Sequence, residues 1–288
     1  MSTQSKVYNI VGSIVLYNPN IKKLKKVLYS FYSSNNLNTK LCLIDNSPTR
    51  TSELDKLLEE YKDIDYIFNG KNLGYGSGHN IAIKKYADCA RYYLIINPDV
   101  FFDEKLLTII YKRLEKRPDI ALASTKILYN NGNQQFTHKK LPNPTDIILR
   151  LLSNKLLILG SILSKIFKKQ MKEYELQHLY KNESFFCPSV SGCFMFFRSE
   201  ALMNIKGFDE DFFLYFEDVD LSRRCATKYK NIIFCDLKIF HSWDRGGHKK
   251  LKLFLYQAKS AIKYFNKWGW CFDKKRKELN SVIKFNTY

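Results

Sequence analysis

The 288-residue chain has no Cys-x-x-Cys pair among its seven cysteines, Cys42, Cys89, Cys187, Cys193, Cys225, Cys235 and Cys271. Their odd number and wide scatter argue against a structural zinc site and against a disulfide framework. Cys42, inside Lys40-Leu-Cys-Leu-Ile44, reads as a buried thiol. A membrane-spanning helix needs ~20 apolar residues. The best candidate, Leu156 to Ser164, is a short uncharged run between Lys155 and Lys165. Met1 to Lys6 runs straight into a strand-like segment, without the pattern of a signal peptide. A cytoplasmic chain with no transmembrane helix is therefore expected. Internal repeats and low-complexity tracts are also missing. Acidic residues are scarce: 28 Asp+Glu face 47 Lys+Arg, a net charge of +19. So basic a chain calls for an anionic partner, whether nucleic acid, membrane lipid or a phosphorylated small molecule.

What is present fits a folded α/β protein. Hydrophobic residues make up 45% and aromatic ones 15%, enough bulk for a core. Strand and helix patterns alternate over the first 130 residues, which predicts a mostly parallel sheet covered by helices. Strands are expected over Tyr8–Leu16, Leu41–Ile44, Tyr66–Phe68, Tyr92–Ile96 and Ile120–Ile127, and helices over Ile21–Phe31, Ser52–Tyr61 and Glu104–Leu114. A glycine-rich loop, Asn69 to Gly78, is followed by a helix through Ala90. Further on, Phe185 to Phe197 reads as buried strand, Glu217 to Lys228 as helix and Ile232 to Phe240 as strand. Asp45, the glycine loop and Asp99 then all fall just after strand C-termini, the edge where open α/β sheets bind ligands.

Two regions carry most of the excess charge. Residues 138–181 hold nine Lys/Arg and three Asp/Glu around the apolar stretch Ile147–Phe167. That segment either lies on an anionic membrane surface or packs its apolar side on the domain. Residues 245–288 hold twelve Lys/Arg and two Asp/Glu. There Leu251, Phe254, Leu255, Ala258, Ile262 and Phe265 recur at helical spacing, with Lys252, Lys259, Lys263 and Lys267 on another face and Trp268 and Trp270 at the end. The lysines and tryptophans suit an anionic bilayer surface. The alternative is a helix whose apolar stripe packs on the core.

Four motifs bear chemistry. Gly74-Tyr-Gly-Ser-Gly-His-Asn80 enters a helix, where glycines let backbone N–H groups approach a phosphate or a sugar. His79 stands where a dinucleotide fingerprint needs its third glycine, and no Gly-Lys-Ser/Thr follows, so neither that fold nor a Walker loop is indicated. Asn97-Pro98-Asp99 offers one hard carboxylate for a divalent ion on a diphosphate, or else an Asx turn. Phe208-Asp209-Glu210-Asp211 and Phe216-Glu217-Asp218-Val219-Asp220 set carboxylates among aromatics, where desolvation raises pKa values toward those of a general base. Helix capping and an Asp220–Arg223 pair are the plainer readings. His241-Ser-Trp-Asp-Arg-Gly-Gly-His248 places two histidines and Arg245 after a strand.

Asp45-Asn46-Ser47, Asn72 to Asn80, Asn97 to Val100, Ser191 to Arg198 and Gly207 to Leu221 occur in that order. Together they resemble the family-two inverting glycosyltransferases of GT-A fold, in the rhamnosyltransferase-like subgroup that builds O-antigen and related polysaccharides. The resemblance covers roughly residues 8 to 265. It implies a Rossmann-like mixed α/β sheet flanked by helices over residues 1–244, with 138–181 as a basic amphipathic insertion, and a basic, mostly helical extension over 245–288. It implies Asp218 as general base, and donor contacts from Asp45, Asn46, Gly74, Gly76, Asn80, Asn97 and Arg245. Asp99 and His241 would hold Mg²⁺ or Mn²⁺. The family's usual Asp-x-Asp is Asn97-Pro98-Asp99 here, as is typical of that subgroup, so one carboxylate is missing and a lower metal affinity is implied. The implied donor is dTDP-rhamnose or another nucleotide sugar such as a UDP-sugar. The implied acceptor is a lipid-linked or growing glycan, and the implied place of work is the inner face of the cell membrane. A nucleic-acid-binding protein is the competing reading for +19. Against it, the charge is concentrated outside the core and no zinc-finger, basic-zipper or RNA-recognition signature occurs.

Overall fold

The computed structural model describes residues 7–33, 37–61, 63–148, 162–242 and 250–283. In chain order the first half contains β1 (Tyr8–Leu16), α1 (Ile21–Tyr32), β2 (Thr39–Asp45), α2 (Ser52–Glu59), β3 (Ile64–Phe68), α3 (Tyr75–Tyr86), β4 (Ala90–Ile96), β5 (Val100–Phe101) and α4 (Leu106–Glu115). Then come β6 (Ile120–Leu128), β7 (Gln134–Gln135), α5 (Ile162–Tyr174), β8 (Ser184–Phe186), β9 (Phe194–Arg198) and α6 (Ser199–Asn204). The last are α7 (Glu217–Lys228), β10 (Lys230–His241), α8 (Lys250–Trp268) and α9 (Lys274–Val282).

The strands form one sheet in the order β3-β2-β1-β4-β9-β6-β10-β5, with β7 added to β6 and β8 to β10. β3, β2, β1 and β4 run parallel; the last three are near-continuous buried apolar runs, as strands covered on both faces are, and β3 is the half-exposed edge. β9 is antiparallel to both of its neighbours, β4 and β6. This inversion matters for the site. Pairing of Ile96 with Phe194 brings the start of β9, and the Ser191-Gly192-Cys193 turn before it, to the edge where β1, β2 and β4 end. The end of β10 reaches the same edge, because His241 pairs with Val100.

Three expectations are corrected. The helix after the glycine loop begins at Tyr75 and ends at Tyr86, so Gly76 and Gly78 are helical and Ala90 already belongs to β4. Phe185–Phe197 is two strands rather than one, since Pro188 and Gly192 interrupt the run and β8 and β9 pair with different neighbours. Asp220 pairs with Arg224, not Arg223, one helical turn away at four residues.

A second, smaller core forms where the chain's last third folds back. Phe212, Phe216, Ala261, Tyr264 and Phe265 pack together with Ile147. α8 thus buries Ser260, Ala261, Tyr264 and Phe265, while Leu251, Phe254, Leu255 and Ile262 face outward. The expected apolar stripe is therefore mostly on the outer side, Phe265 excepted. The described part of the basic insertion, α5, turns Phe167 and Tyr174 inward and leaves Lys165, Lys168, Lys169 and Lys172 exposed on one side. Most of the stretch Ile147–Phe167 lies outside the described residues. Among the described residues no helix is long and apolar enough to cross a membrane.

Candidate active site

A cleft of about 550 Å³ opens at the sheet edge described above. Its two walls carry different chemistry. One wall comes from the ends of β4 and β10. Asn97, Asp99 and His241 line it, together with Lys23 from α1. Asp99 Oδ1 and His241 Nε2 are 3.3 Å apart. Gln135 on β7 clamps the histidine: its Nε2 donates to the His241 carbonyl at 2.8 Å, which leaves Oε1, 3.1 Å from His241 Nδ1, to accept that ring proton. In the neutral ring that orientation puts the Nε2 lone pair on the side of the Asp99 carboxylate. Imidazole plus carboxylate is a donor set that suits a divalent ion. Two ligands are all that converge, since among the described residues no group of three or more His, Cys, Asp or Glu does. Lys23 Nζ donates to the Ser242 carbonyl at 2.9 Å and adds positive charge beside them.

The other wall is the N-terminus of α7. Tyr215 and Phe216 both adopt left-handed backbone, at φ 69° and 66°, a strained entry that costs about 1–3 kcal/mol per residue. Packing and hydrogen bonds hold it. Tyr75 N donates to the Phe213 carbonyl at 3.1 Å, Ser260 Oγ to Leu214 O at 2.8 Å and Lys263 Nζ to Asp211 O at 2.6 Å. The turn delivers Glu217 and Asp218 into the cleft. Asp218 Oδ2 accepts from Gly192 N and Oδ1 from Val219 N, both at 2.9 Å, so each oxygen retains a lone pair. A Cβ on Gly192 would sit 3.1 Å from Asp218 Cβ, which explains glycine there. Glu217 is 6% exposed, and its Oε2 has no hydrogen-bond partner among the described residues. Burial, and then the neighbouring Asp218, push the Glu217 carboxyl well above its ordinary range. Burial raises Asp218 as well, against the pull of the Gly192 and Val219 N–H groups. The two backbone N–H donors favour the charged form of Asp218, whereas Glu217 Oε2 has no such donor among the described residues.

The remaining sequence candidates are placed elsewhere. Asp45 is buried, accepting from Ser47 N at 2.9 Å and Tyr66 OH at 2.7 Å. Asn46 bridges the Gly74 carbonyl and the Asn69 amide. Asn80 is committed to the Phe208 backbone and Glu210. None of the three lines the cleft, and neither do Gly74 and Gly76. The glycine loop is pressed against the 208–213 segment instead: a Cβ would meet Phe213 O at 2.4 Å from Gly74 and Phe208 Cβ at 2.9 Å from Gly76. Its contribution to the cleft is Tyr75, whose hydroxyl donates to the Gly192 carbonyl at 2.6 Å. Asp209 and Glu210 are not raised carboxylates. Burial pushes Asp209 up, but Lys267 outweighs it, and Asn80 and Lys84 lower Glu210. Arg245, Lys249 and His248 lie outside the described residues. Sequence reasoning missed Lys23 and Lys139, which line the cleft, and Gln135, which holds His241 through β7; contacts distant in sequence bring them there.

Gly74 combines φ +89° with the Phe213 contact, a backbone conformation essentially restricted to glycine. Gly74→Ala is expected to lose about 1–3 kcal/mol from the backbone alone, and more from displacing Phe213. Gly132, at φ +84°, is the control, because a Cβ added there would meet nothing within 4 Å. Urea unfolding should find Gly132→Ala clearly the milder change; equal losses would show that the Phe213 contact carries no weight.

Comparison with known proteins follows the same lines. The family model for glycosyl transferase family 2 matches residues 13–205. Rhamnosyltransferase WbbL of Escherichia coli (strain K12) is 26% identical over 228 residues, spanning 73% of this chain and 76% of that protein. The low-salt glycan biosynthesis hexosyltransferase Agl10 of Haloferax volcanii is 24% identical over 228 residues, 78% of this chain and 64% of that one. Among solved structures, GalNAc-T7 with UDP, GalNAc and Mn²⁺ superposes with a TM-score of 0.61 at 13% identity, over 96% of this chain and 50% of the other. The mannosyltransferase PcManGT of Pyrobaculum calidifontis, in complex with GDP-Man and Mn²⁺, gives 0.58 at 15% identity, over 90% and 64%. The fold is that of the GT-A glycosyltransferases. Asp218 and His241 lie beyond the residues that the family model matches.

Proposed function

The chain belongs to glycosyl transferase family 2, and from that premise we propose that it transfers a hexosyl residue with inversion, using Asp218 as base and an Asp99–His241 metal wall. The observation that carries this reading is that one cleft is lined both by Asp99 and His241 from the strand ends and by Glu217 and Asp218 from the start of α7. Rhamnose from dTDP-rhamnose is the proposed donor chemistry, supported by the similarity to WbbL. The proposed acceptor is a lipid-linked or growing glycan in cell-surface polysaccharide synthesis. A UDP-sugar is the second reading, because a solved neighbour carries UDP.

In the reaction an acceptor hydroxyl attacks the anomeric carbon from the face opposite the diphosphate. The carbon–oxygen bond to the diphosphate breaks, and the nucleoside diphosphate leaves with the bonding pair. Asp218 takes the hydroxyl proton, its oxygens aimed by Gly192 and Val219. A divalent ion, Mg²⁺ or Mn²⁺, held by Asp99 and His241 would supply countercharge for the departing diphosphate. Lys23 adds positive potential on the same wall. One carboxylate base without a protein nucleophile gives inversion.

A panel of nucleotide sugars scored by nucleoside diphosphate release tests donor and metal together. EDTA should abolish release. Gln135→Leu should raise the Mn²⁺ concentration for half-activity by ~10–100-fold, because it frees the His241 ring. Unchanged activity in EDTA would remove the metal from the account and leave Lys23 and its neighbours as the charge stabilisers.

A further inference from the structure

Six large apolar side chains are exposed within a short stretch of α8 and the turn after it: Leu251, Phe254, Leu255, Ile262, Trp270 and Phe272. Leu251, Leu255 and Ile262 fall on one line of the helix, at i, i+4 and i+11. Exposed Lys252 and Lys259 run beside them, seven residues apart. The far side of the same helix is already used, by the second core and by Lys263 and Lys267. Lys263 donates to Asp211, and Lys267 pairs with Asp209 and Asp220. Trp268 is also committed, through Nε1 to Asp220 at 2.8 Å. The lysines and tryptophan that suit a bilayer by sequence are thus divided between an inner, structural set and an outer set bordered by apolar residues. Phe272 is 97% exposed, which a folded chain in water has no reason to favour.

We infer that the outer face of α8, with Trp270 and Phe272 at its end, docks on an anionic membrane surface. An apolar line flanked by lysines is the pattern of a helix lying in the headgroup region, with its side chains in the acyl boundary and its cations among lipid phosphates. Charge decides against a second copy as the occupant. Two such faces brought together would oppose Lys252 and Lys259 to their counterparts in a chain of net charge +19. The location serves the proposed reaction. Gln257 on α8 lines the cleft, as does Tyr174 at the end of α5, whose Lys165, Lys168, Lys169 and Lys172 are exposed. Docking through α8 therefore holds the cleft at the lipid surface. The link to a lipid-borne acceptor rests on the proposed function, but vesicle binding requires no transfer, so the two fail separately.

Flotation with phosphatidylcholine vesicles, with and without phosphatidylglycerol, tests the docking. The full chain should float with the anionic vesicles at low salt, and binding should fall as salt shortens the screening length. Leu255→Glu combined with Ile262→Glu should weaken flotation by at least ~10-fold, since two apolar anchors are lost and two repulsive charges added. Both positions are exposed, so the melting temperature should not change, and transfer to a soluble acceptor should persist. Absence of wild-type flotation, or equal flotation of the variant, would overturn the inference. So would a dimer, detected by light scattering, that the same two substitutions split.

Discussion

Replacing Asp218 with Asn is expected to reduce transfer by about 10²–10⁴-fold, the range for removal of one general base. Nucleoside diphosphate binding should change little, because the base addresses the acceptor hydroxyl. Asn cannot take a proton, and its single carbonyl oxygen accepts from only one of the two N–H groups, at Gly192 or Val219, that now bond separate oxygens of Asp218. The pH profile provides an independent reading. Burial raises the Asp218 carboxyl, so the acid limb of kcat lies above the ordinary aspartate range, with activity lost as pH falls and the base is protonated. Stability responds in the opposite sense. The folded pair retains protons that the unfolded chain has released, so stability declines as pH rises through that window. Asp218→Asn should flatten the acid limb, and the lost N–H bond and the removed buried charge act in opposite senses on stability, so the melting temperature at neutral pH should change little. Near-normal transfer by the folded variant would reject the assignment, with Glu217 as the next candidate.

The second large effect is expected far from the chemistry, at Asp273. Its carboxylate receives Arg223 Nη1 at 2.6 Å and Nη2 at 2.7 Å, in a pair whose side chains are 1% and 3% exposed. Arg223 also donates to Tyr264 OH at 3.1 Å and lies 4.1 Å over the Trp268 ring. Burial alone would raise the Asp273 carboxyl, but Arg223 and Arg276 together hold it below its usual range. The same side chain caps α9 by accepting from Arg276 N. Asp273→Ala strands a guanidinium in the core and removes a cap. Breaking such a buried pair costs about 3–5 kcal/mol and a lost cap about 1 more. For a domain of this size that lowers the melting temperature by roughly 10 °C. Arg223 is on α7, the helix that presents Asp218, so transfer should fall with stability. Calorimetry of Asp273→Ala beside Asp218→Asn separates the two cases: the first loses stability and activity together, the second activity alone.

The pattern of parallel strands was legible because each buried strand reads as an apolar run closed by a turn residue, and the residues after those turns do meet at one edge. Asp99, His241, Asn97 and Asp218 converge there. What stayed hidden depends on pairings distant in sequence. That the glycine loop packs against a protein segment follows from the Phe208 and Phe213 contacts, far downstream in the chain. That Lys263 and Lys267 are structural follows from acidic partners on the 209–220 segment. Helical periodicity showed that α8 is amphipathic but could not tell which side packs inward, because apolar residues occupy more of its surface than one contact face needs. Asp220 illustrates the same limit: two arginines lie within one turn of it, and only tertiary contacts send Arg223 to Asp273 and leave Arg224 for Asp220.

The most direct test of the central claim is the configuration of the product's anomeric carbon, read by proton NMR after turnover of an accepted nucleotide sugar. Asp218 as the sole base, with no protein nucleophile, predicts a product inverted relative to the donor. One nucleoside diphosphate should be released per sugar transferred. Retention of configuration, or transfer that survives in Asp218→Asn, would contradict the assignment of Asp218 as the base on which the account stands.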